Sequence, residues 1–252
     1  MTRLLAMIAA LAALGLAAPA QAHFLWLAPE AGAAGGRPLT VEVGWGHAFP
    51  RSEPCDASRL RGLRALGPEG RAARLEQHSP LQYRLHPEKP GYHLVLAAYE
   101  PGFLTKTTSG YRRRDKRGLA EALSCFRYDL RAKALVPAGG KEAGHGQAAG
   151  DVLEIVPLAP PGSLRPGQEL PVQVLFQGEP RAGVQLQATH AGFGPEPNRF
   201  AWEGVSDGEG RARVRLAGPG LQMIAATLRL AHPEPEVCDQ LLYKYTLTFR
   251  LP

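Results

Sequence analysis

Arg211-Ala212-Arg213-Val214-Arg215-Leu216 alternates charged and apolar side chains without a break. Successive side chains of a strand point to opposite faces, so this hexapeptide predicts an antiparallel strand with one face in a core and one in water. Tyr243, Tyr245, Leu247 and Phe249 repeat the alternation within Leu242 to Leu251. Leu153 to Pro157, Leu170 to Phe176, Val184 to Thr189, Arg199 to Trp202 and Leu221 to Leu230 are also patterned as strands. Seven short strands separated by turns over about 100 residues predict an immunoglobulin-like β-sandwich across 152–252.

Upstream, His23 to Leu27, Leu39 to Trp45, Leu81 to Leu85, Tyr92 to Tyr99 and Cys125 to Val136 predict a second, less regular β domain over 23–137. Gly118 to Leu123 reads as one short helical turn. Pro137-Ala138-Gly139-Gly140-Lys141-Glu142-Ala143-Gly144-His145-Gly146 has no apolar period. Residues 138–151 therefore read as a flexible, Gly-rich linker. The expected class is all-β: two immunoglobulin-like β-sandwich domains joined by that linker. Composition agrees, because 29 Gly and 23 Pro make up about a fifth of the 252 residues, against a usual share of roughly 12%. So much turn chemistry argues against a helical bundle. The absence of heptads, of repeats and of a long apolar run after the first twenty residues excludes a coiled coil, a solenoid and a helical channel.

Residues 1–22 carry the marks of a cleaved leader. Arg3 is the positive flank, Leu4 to Ala18 is unbroken apolar sequence, and Ala20-Gln21-Ala22 has the small-x-small form that signal peptidase reads. Cleavage after Ala22 would make His23 the first residue and deliver the chain to the periplasm. The net charge of +6 is diffuse, and its densest run lies between Lys106 and Arg117. No aromatic ladder accompanies that run, so it reads as a solvated loop and not as a nucleic-acid surface. An exported compartment permits one disulfide among Cys55, Cys125 and Cys238, and all three pairings are open from spacing alone.

Nothing in the chain points to an enzyme. Gly204-Val205-Ser206-Asp207-Gly208 has the form of a nucleophile elbow, but a turn and an alternating strand follow it where a helix is required. It reads as a hairpin. The histidines carry more chemistry. As the first residue, His23 would offer its α-amine and Nδ1 to one metal ion together, and the amine's ordinary pKa of about 7.7–8.0 lets metal displace its proton near neutrality. His47, at the end of the second predicted strand, supplies a third nitrogen if that strand returns antiparallel toward residue 23. Three nitrogens suit nickel, cobalt or copper. His145, in the expected linker, is placed to fold over such a site. His78, His86, His93, His190 and His232 read as structural.

The chain also resembles a known family, the exported nickel/cobalt-uptake accessory proteins of bacteria, long catalogued as a domain of unknown function. The resemblance rests on His23-Phe24-Leu25-Trp26-Leu27, Gly44-Trp45-Gly46-His47-Ala48-Phe49-Pro50, and the segment from Pro101 to Gly110. It continues through Ser124-Cys125, Leu153-Glu154-Ile155-Val156-Pro157-Leu158 and Cys238-Asp239-Gln240. It implies a periplasmic metal-binding protein, without catalysis, that works with an inner-membrane metal importer or an outer-membrane metal receptor. The implied ligands are His23 and His47. Relatives carry a Gly-His pair directly before the Leu-Glu-Ile-Val-Pro segment, whereas here Gly144-His145 stands seven residues ahead of Leu153. Cys125 and Cys238 lie in family-like segments, so the resemblance favours their pairing. The competing readings are a copper protein using the same N-terminal His and a non-metal module that contacts envelope components or carbohydrate.

Overall fold

The structure, a computed structural model, describes residues 23–31, 37–194 and 196–251. The leader expected at 1–22 lies outside the described residues. The first half of the chain forms β1 (Phe24–Pro29), β2 (Leu39–Gly46), β3 (Leu60–Leu66), β4 (Ala72–Ser79), β5 (Gln82–His86), β6 (Gly91–Thr107), β7 (Gly110–Arg112) and β8 (Ala122–Ala138). The second forms β9 (Leu153–Pro157), β10 (Glu169–Phe176), β11 (Glu179–Pro180), β12 (Gln185–His190), β13 (Trp202–Val205), β14 (Arg211–Arg215), β15 (Gly220–Ala231) and β16 (Gln240–Leu251). The fold is all-β and sandwich-like, as the alternating segments predict. No helix among the described residues is long and apolar enough to cross a membrane.

The predicted strands are present, with β13 three residues later than its pattern suggests. The helical turn expected at Gly118 to Leu123 is not formed; the chain turns there and enters β8 at Ala122. β3 and β4 escape a reading by periodicity because most of their side chains are exposed or only half-buried. The elbow-like segment is a hairpin: Ser206 Oγ donates to Arg181 O at 2.7 Å, and Asp207 Oδ1 accepts from Glu209 N and Arg211 N.

One sheet path joins the two halves, in the order β1-β2-β5-β4-β3-β6-β8-β16-β15-β12-β13, and β8 pairs with β16 in parallel. A smaller sheet, β11-β10-β14 with β9 on β10, covers the second half. The central strands serve two cores. Val95, Ala97 and Tyr99 of β6 enter the first, whereas Tyr92 and Leu94 enter the second with Leu135 of β8. A strand buried on both faces reads as a continuous apolar run, which is why Tyr92 to Tyr99 lacks alternation.

β1 is buried in the same way. Leu25 and Leu27 face the first core, and Phe24 and Trp26 pack with Phe49 against Leu221, Met223 and Ala225 of β15. Fully burying each such side chain is worth about 1.5–3 kcal/mol, so four in a row anchor the strand that begins one residue after His23. Its outer edge is closed by side chains: Thr246 Oγ1 donates to Leu25 O, Thr248 Oγ1 to Leu27 O and Arg250 Nε to Pro29 O. Covering an edge this way removes a template for unwanted strand pairing.

Residues 138–151 are fastened to the junction. Lys133 and Glu154 form a fully buried ion pair at 2.7 Å, and the Glu154 carboxylate also accepts from Ala149 N and Gly150 N. Gln147 Nε2 donates to Gly67 O and Pro68 O, on the β3–β4 turn. A second buried lysine, Lys244 on β16, is 4% exposed, with Nζ 3.6 Å from the centre of the Phe24 ring. Burial, aided by the charge of Arg229, pushes its pKa down to about 7. The unfolded chain therefore binds a proton that the folded chain lacks between about pH 7 and the ordinary lysine value, so folding stability rises with pH across that window. Lys244→Met is expected to remove most of that slope between pH 7 and 9 and to raise stability at pH 6 by about 2–4 kcal/mol. Urea denaturation at pH 6, 7, 8 and 9 measures both, and an unchanged slope would contradict the assignment.

Candidate metal centre

β1 and β2 pair antiparallel with Phe24 opposite Gly46. Continuing that register by one residue sets His23 opposite His47, and their ring centres lie 4.0 Å apart. The return of the second strand toward residue 23 is thus what the sequence leads one to expect. The third member is Glu53, on the loop that follows. Its carboxylate meets His23 Nε2 at 3.1 Å through Oε2 and His47 Nδ1 at 3.0 Å through Oε1, and Oε1 also accepts from His47 N at 3.0 Å. Glu53 N donates to Trp45 O at 2.7 Å, which pins the loop back on β2. One ligand atom from each of His23, His47 and Glu53 falls within 4.8 Å of the others. Nitrogens held 2.0–2.1 Å from a common ion lie at most about 4 Å apart, the same scale as this grouping.

The Gly44-Trp45-Gly46-His47 stretch builds this arrangement residue by residue. A Cβ on Gly44 would fall 1.9 Å from the indole Nε1 of Trp26, its partner on β1 and almost wholly buried. Trp45 stacks on the His23 ring, with centres 4.9 Å apart and planes 14° apart, and packs in turn on Tyr99. Gly46 has φ +146°, and a Cβ there would stand 3.0 Å from Glu53 Cγ. Gly44→Ala is expected to cost about 2–3 kcal/mol, because a buried indole inside a packed sheet cannot retreat by more than an ångström. An unchanged urea midpoint would disprove that contact.

Electrostatics agree with a donor role. Burial and then the charge of His47 lower the His23 pKa, against the opposing pull of Glu53, so its ring is neutral near pH 7. Burial would raise the Glu53 pKa, but hydrogen bonds from the His47 ring and backbone outweigh it and keep the carboxyl ionised. An ionised carboxylate can only accept, so both rings donate to it, His23 through Nε2–H and His47 through Nδ1–H. A ring that donates there and carries no second proton has its lone pair on the other nitrogen, Nδ1 of His23 and Nε2 of His47.

His145 does not join this group. Its Nδ1 lies 2.7 Å from Glu142 O and its ring packs edge-on against Tyr92, at the opposite end of the β6 segment that carries Tyr99. His86 pairs with Glu76, and His190 and His232 bond to nearby backbone. The Cys125–Cys238 disulfide is formed and Cys55 is a free thiol. That bond ties the start of β8 to the residues entering β16. Glu53 escaped the sequence reading, although a carboxylate six residues beyond a candidate ligand, on a Pro-flanked turn, was its one available signal.

Residues 20–229 match the model of a family described as a domain of unknown function, DUF4198. No curated protein matches the sequence. Among solved structures, the D0-D1 domain of intimin aligns over 90% of this chain and 97% of that one, at 12% identity and a TM-score of 0.23. The BSP domain of a biofilm associated protein aligns over 88% of this chain and 29% of that one, at 10% identity and a TM-score of 0.22.

Proposed function

We propose, for a chain that belongs to the DUF4198 family of domains of unknown function, that it is an exported protein which binds one divalent transition-metal ion at a mature N-terminus starting with His23 and serves a nickel or cobalt importer. The observation that carries this reading is the single Glu53 carboxylate accepting from both imidazoles. Metal-ligating histidines commonly donate their second ring nitrogen to a carboxylate, which sets tautomer and orientation and raises ligand basicity. Here one carboxylate does so for two rings, and His23 Nδ1 and His47 Nε2 would be the metal donors. Cleavage after Ala22 would add the α-amine of His23, which forms a chelate ring with its own Nδ1. His47 Nε2 completes three nitrogens, a set that suits Ni²⁺ and Co²⁺ and also binds Cu²⁺ strongly. β1, buried on both faces, keeps the first residue in place. Partnership with an importer rests on the resemblance carried by the Phe24 to Leu27, Gly44 to Pro50 and Cys238 to Gln240 segments.

Calorimetric titration of protein recovered from the periplasm, with its first residue established by intact mass, tests the reading. One Ni²⁺ or Co²⁺ per chain is expected, and His47→Ala should weaken binding by roughly 100-fold or more, since loss of an outer-shell partner alone costs 10–100-fold. Absence of binding by wild type, or equal binding by His47→Ala, would overturn it.

A further inference from the structure

A cleft of about 710 Å³ opens directly beside the His23–His47 pair, and both rings line it. An ion with six waters fills only about 200 Å³, taking each water at its share of the liquid. Clefts of roughly 300–1,000 Å³ are instead the size class of small organic ligands. The walls have the wrong character for a hydrated ion. Trp45, Tyr99, Phe126 and Tyr128 contribute aromatic surface, and the last three are fixed in the first core. Two guanidinium groups supply charge. Arg59, at the end of the 3₁₀ turn Ala57–Arg59, lies over the Tyr99 ring at 4.8 Å and donates from Nη2 to Tyr128 Oη at 2.8 Å. Its Nε lies 3.6 Å from Glu100 Oε2. Arg113 stands exposed at the mouth, just past β7. Asp56, the acid on the cleft wall, is engaged as the cap of the 3₁₀ turn, where it accepts from Ser58 N and Oγ.

We infer that the metal is taken up as a chelate, bound to a small organic carboxylate whose planar or apolar body lies against the aromatic walls and whose carboxylates meet Arg59 and Arg113. This rests on the metal-binding reading above and names the form of its cargo. The coordination count is consistent: a tridentate chelator leaves three positions on a six-coordinate ion, and the His23 amine, His23 Nδ1 and His47 Nε2 are three donors. Arg59 is held in a fixed plane by Tyr99 and Tyr128, and with its Nη2 donating to Tyr128 Oη and Glu100 O, Nη1 is the nitrogen that would meet a carboxylate, through a charge-assisted hydrogen bond.

Pyridine-2,6-dicarboxylate (dipicolinate) is a suitable probe, being planar, aromatic and tridentate, with strong ultraviolet absorbance. Protein starting at His23 would be mixed with the 1:1 Ni²⁺–dipicolinate complex, with Ni²⁺ alone or with dipicolinate alone, then desalted and also titrated by calorimetry. The expected result is co-elution of nickel and dipicolinate with the protein at 1:1:1, and no retention of dipicolinate without nickel. Arg113→Gln, at an exposed position, and Arg59→Gln should each weaken binding of the complex about tenfold or more, the worth of a charge-assisted hydrogen bond. Both should leave the affinity for Ni²⁺ alone unchanged. Transfer of bare nickel with dipicolinate passing through, retention of dipicolinate without nickel, or indifference of the complex to both arginine variants would each overturn the chelate proposal and leave the metal site standing. Failure to retain nickel in any form would overturn both.

Discussion

Mature protein carrying one additional alanine ahead of His23 is expected to bind Ni²⁺ at least about 100-fold more weakly than protein that begins at His23. The insertion changes no side chain of the cluster. It converts the α-amine of His23 into an amide, whose nitrogen is a poor donor, and opens the chelate ring formed with Nδ1. Loss of an orienting partner costs 10–100-fold in metal affinity, so loss of a direct donor sets the lower bound at the top of that range. The fold is insulated from the change, because the anchoring side chains start at Phe24 and end in two cores. The thermal midpoint without metal should therefore be unaltered. The pH dependence offers a second reading. Binding at His23 displaces the amine proton, so affinity falls as pH is lowered below the amine's pKa of about 7.7–8.0. The extended form lacks that proton at the site and should show a shallower fall between pH 7.5 and 6.5. Equal affinity of the two forms would place the donors elsewhere among the histidines and end the N-terminal reading.

Replacing both Cys125 and Cys238 by alanine is expected to lower stability by about 4–5 kcal/mol. The bond closes a loop with a sequence separation of 113, and the chain-entropy relation for a loop of that length gives about 5 kcal/mol at 25 °C. The same junction is held by a contact that alanine at 125 would retain: Asp239 Oδ2 accepts from Cys125 N at 2.7 Å, and the same carboxylate pairs with Lys116. The disulfide holds the entry of β16 against β8, the parallel pairing on which the shared sheet depends. For a chain of this size the loss corresponds to a fall in Tm of about 10–15 °C. Cys55→Ser is the control, because Cys55 is unbridged and its removal should leave the midpoint within about 2 °C. A double variant that melts with the wild type would show that the pairing between β8 and β16 needs no covalent support.

The strand pattern and the approach of His47 to His23 were legible in the sequence, because both depend on neighbours along the chain. Alternation at Arg211 to Leu216 reports which face of one strand is buried. The β1–β2 pairing follows from two apolar segments that are consecutive along the chain. Glu53 was not legible, since it acts across 30 residues from His23 and a carboxylate on a turn has no periodicity to mark it. Continuous apolar runs at Phe24 to Leu27 and Tyr92 to Tyr99 announce burial on both faces but not which cores those faces enter. Residues 138–151 read as a flexible linker by composition, yet buried Glu154 accepts from Ala149 N and Gly150 N, and half-buried Gln147 donates to Gly67 O and Pro68 O, far away in sequence. His145 goes with that segment to Tyr92 and away from the metal cluster. The sequence by itself determined the all-β class, most of the strands and the two histidines that meet. Only the tertiary structure decided the carboxylate that orients them, the cleft beside them and the single sheet that spans both halves, because each is made by contacts between residues that no local pattern connects.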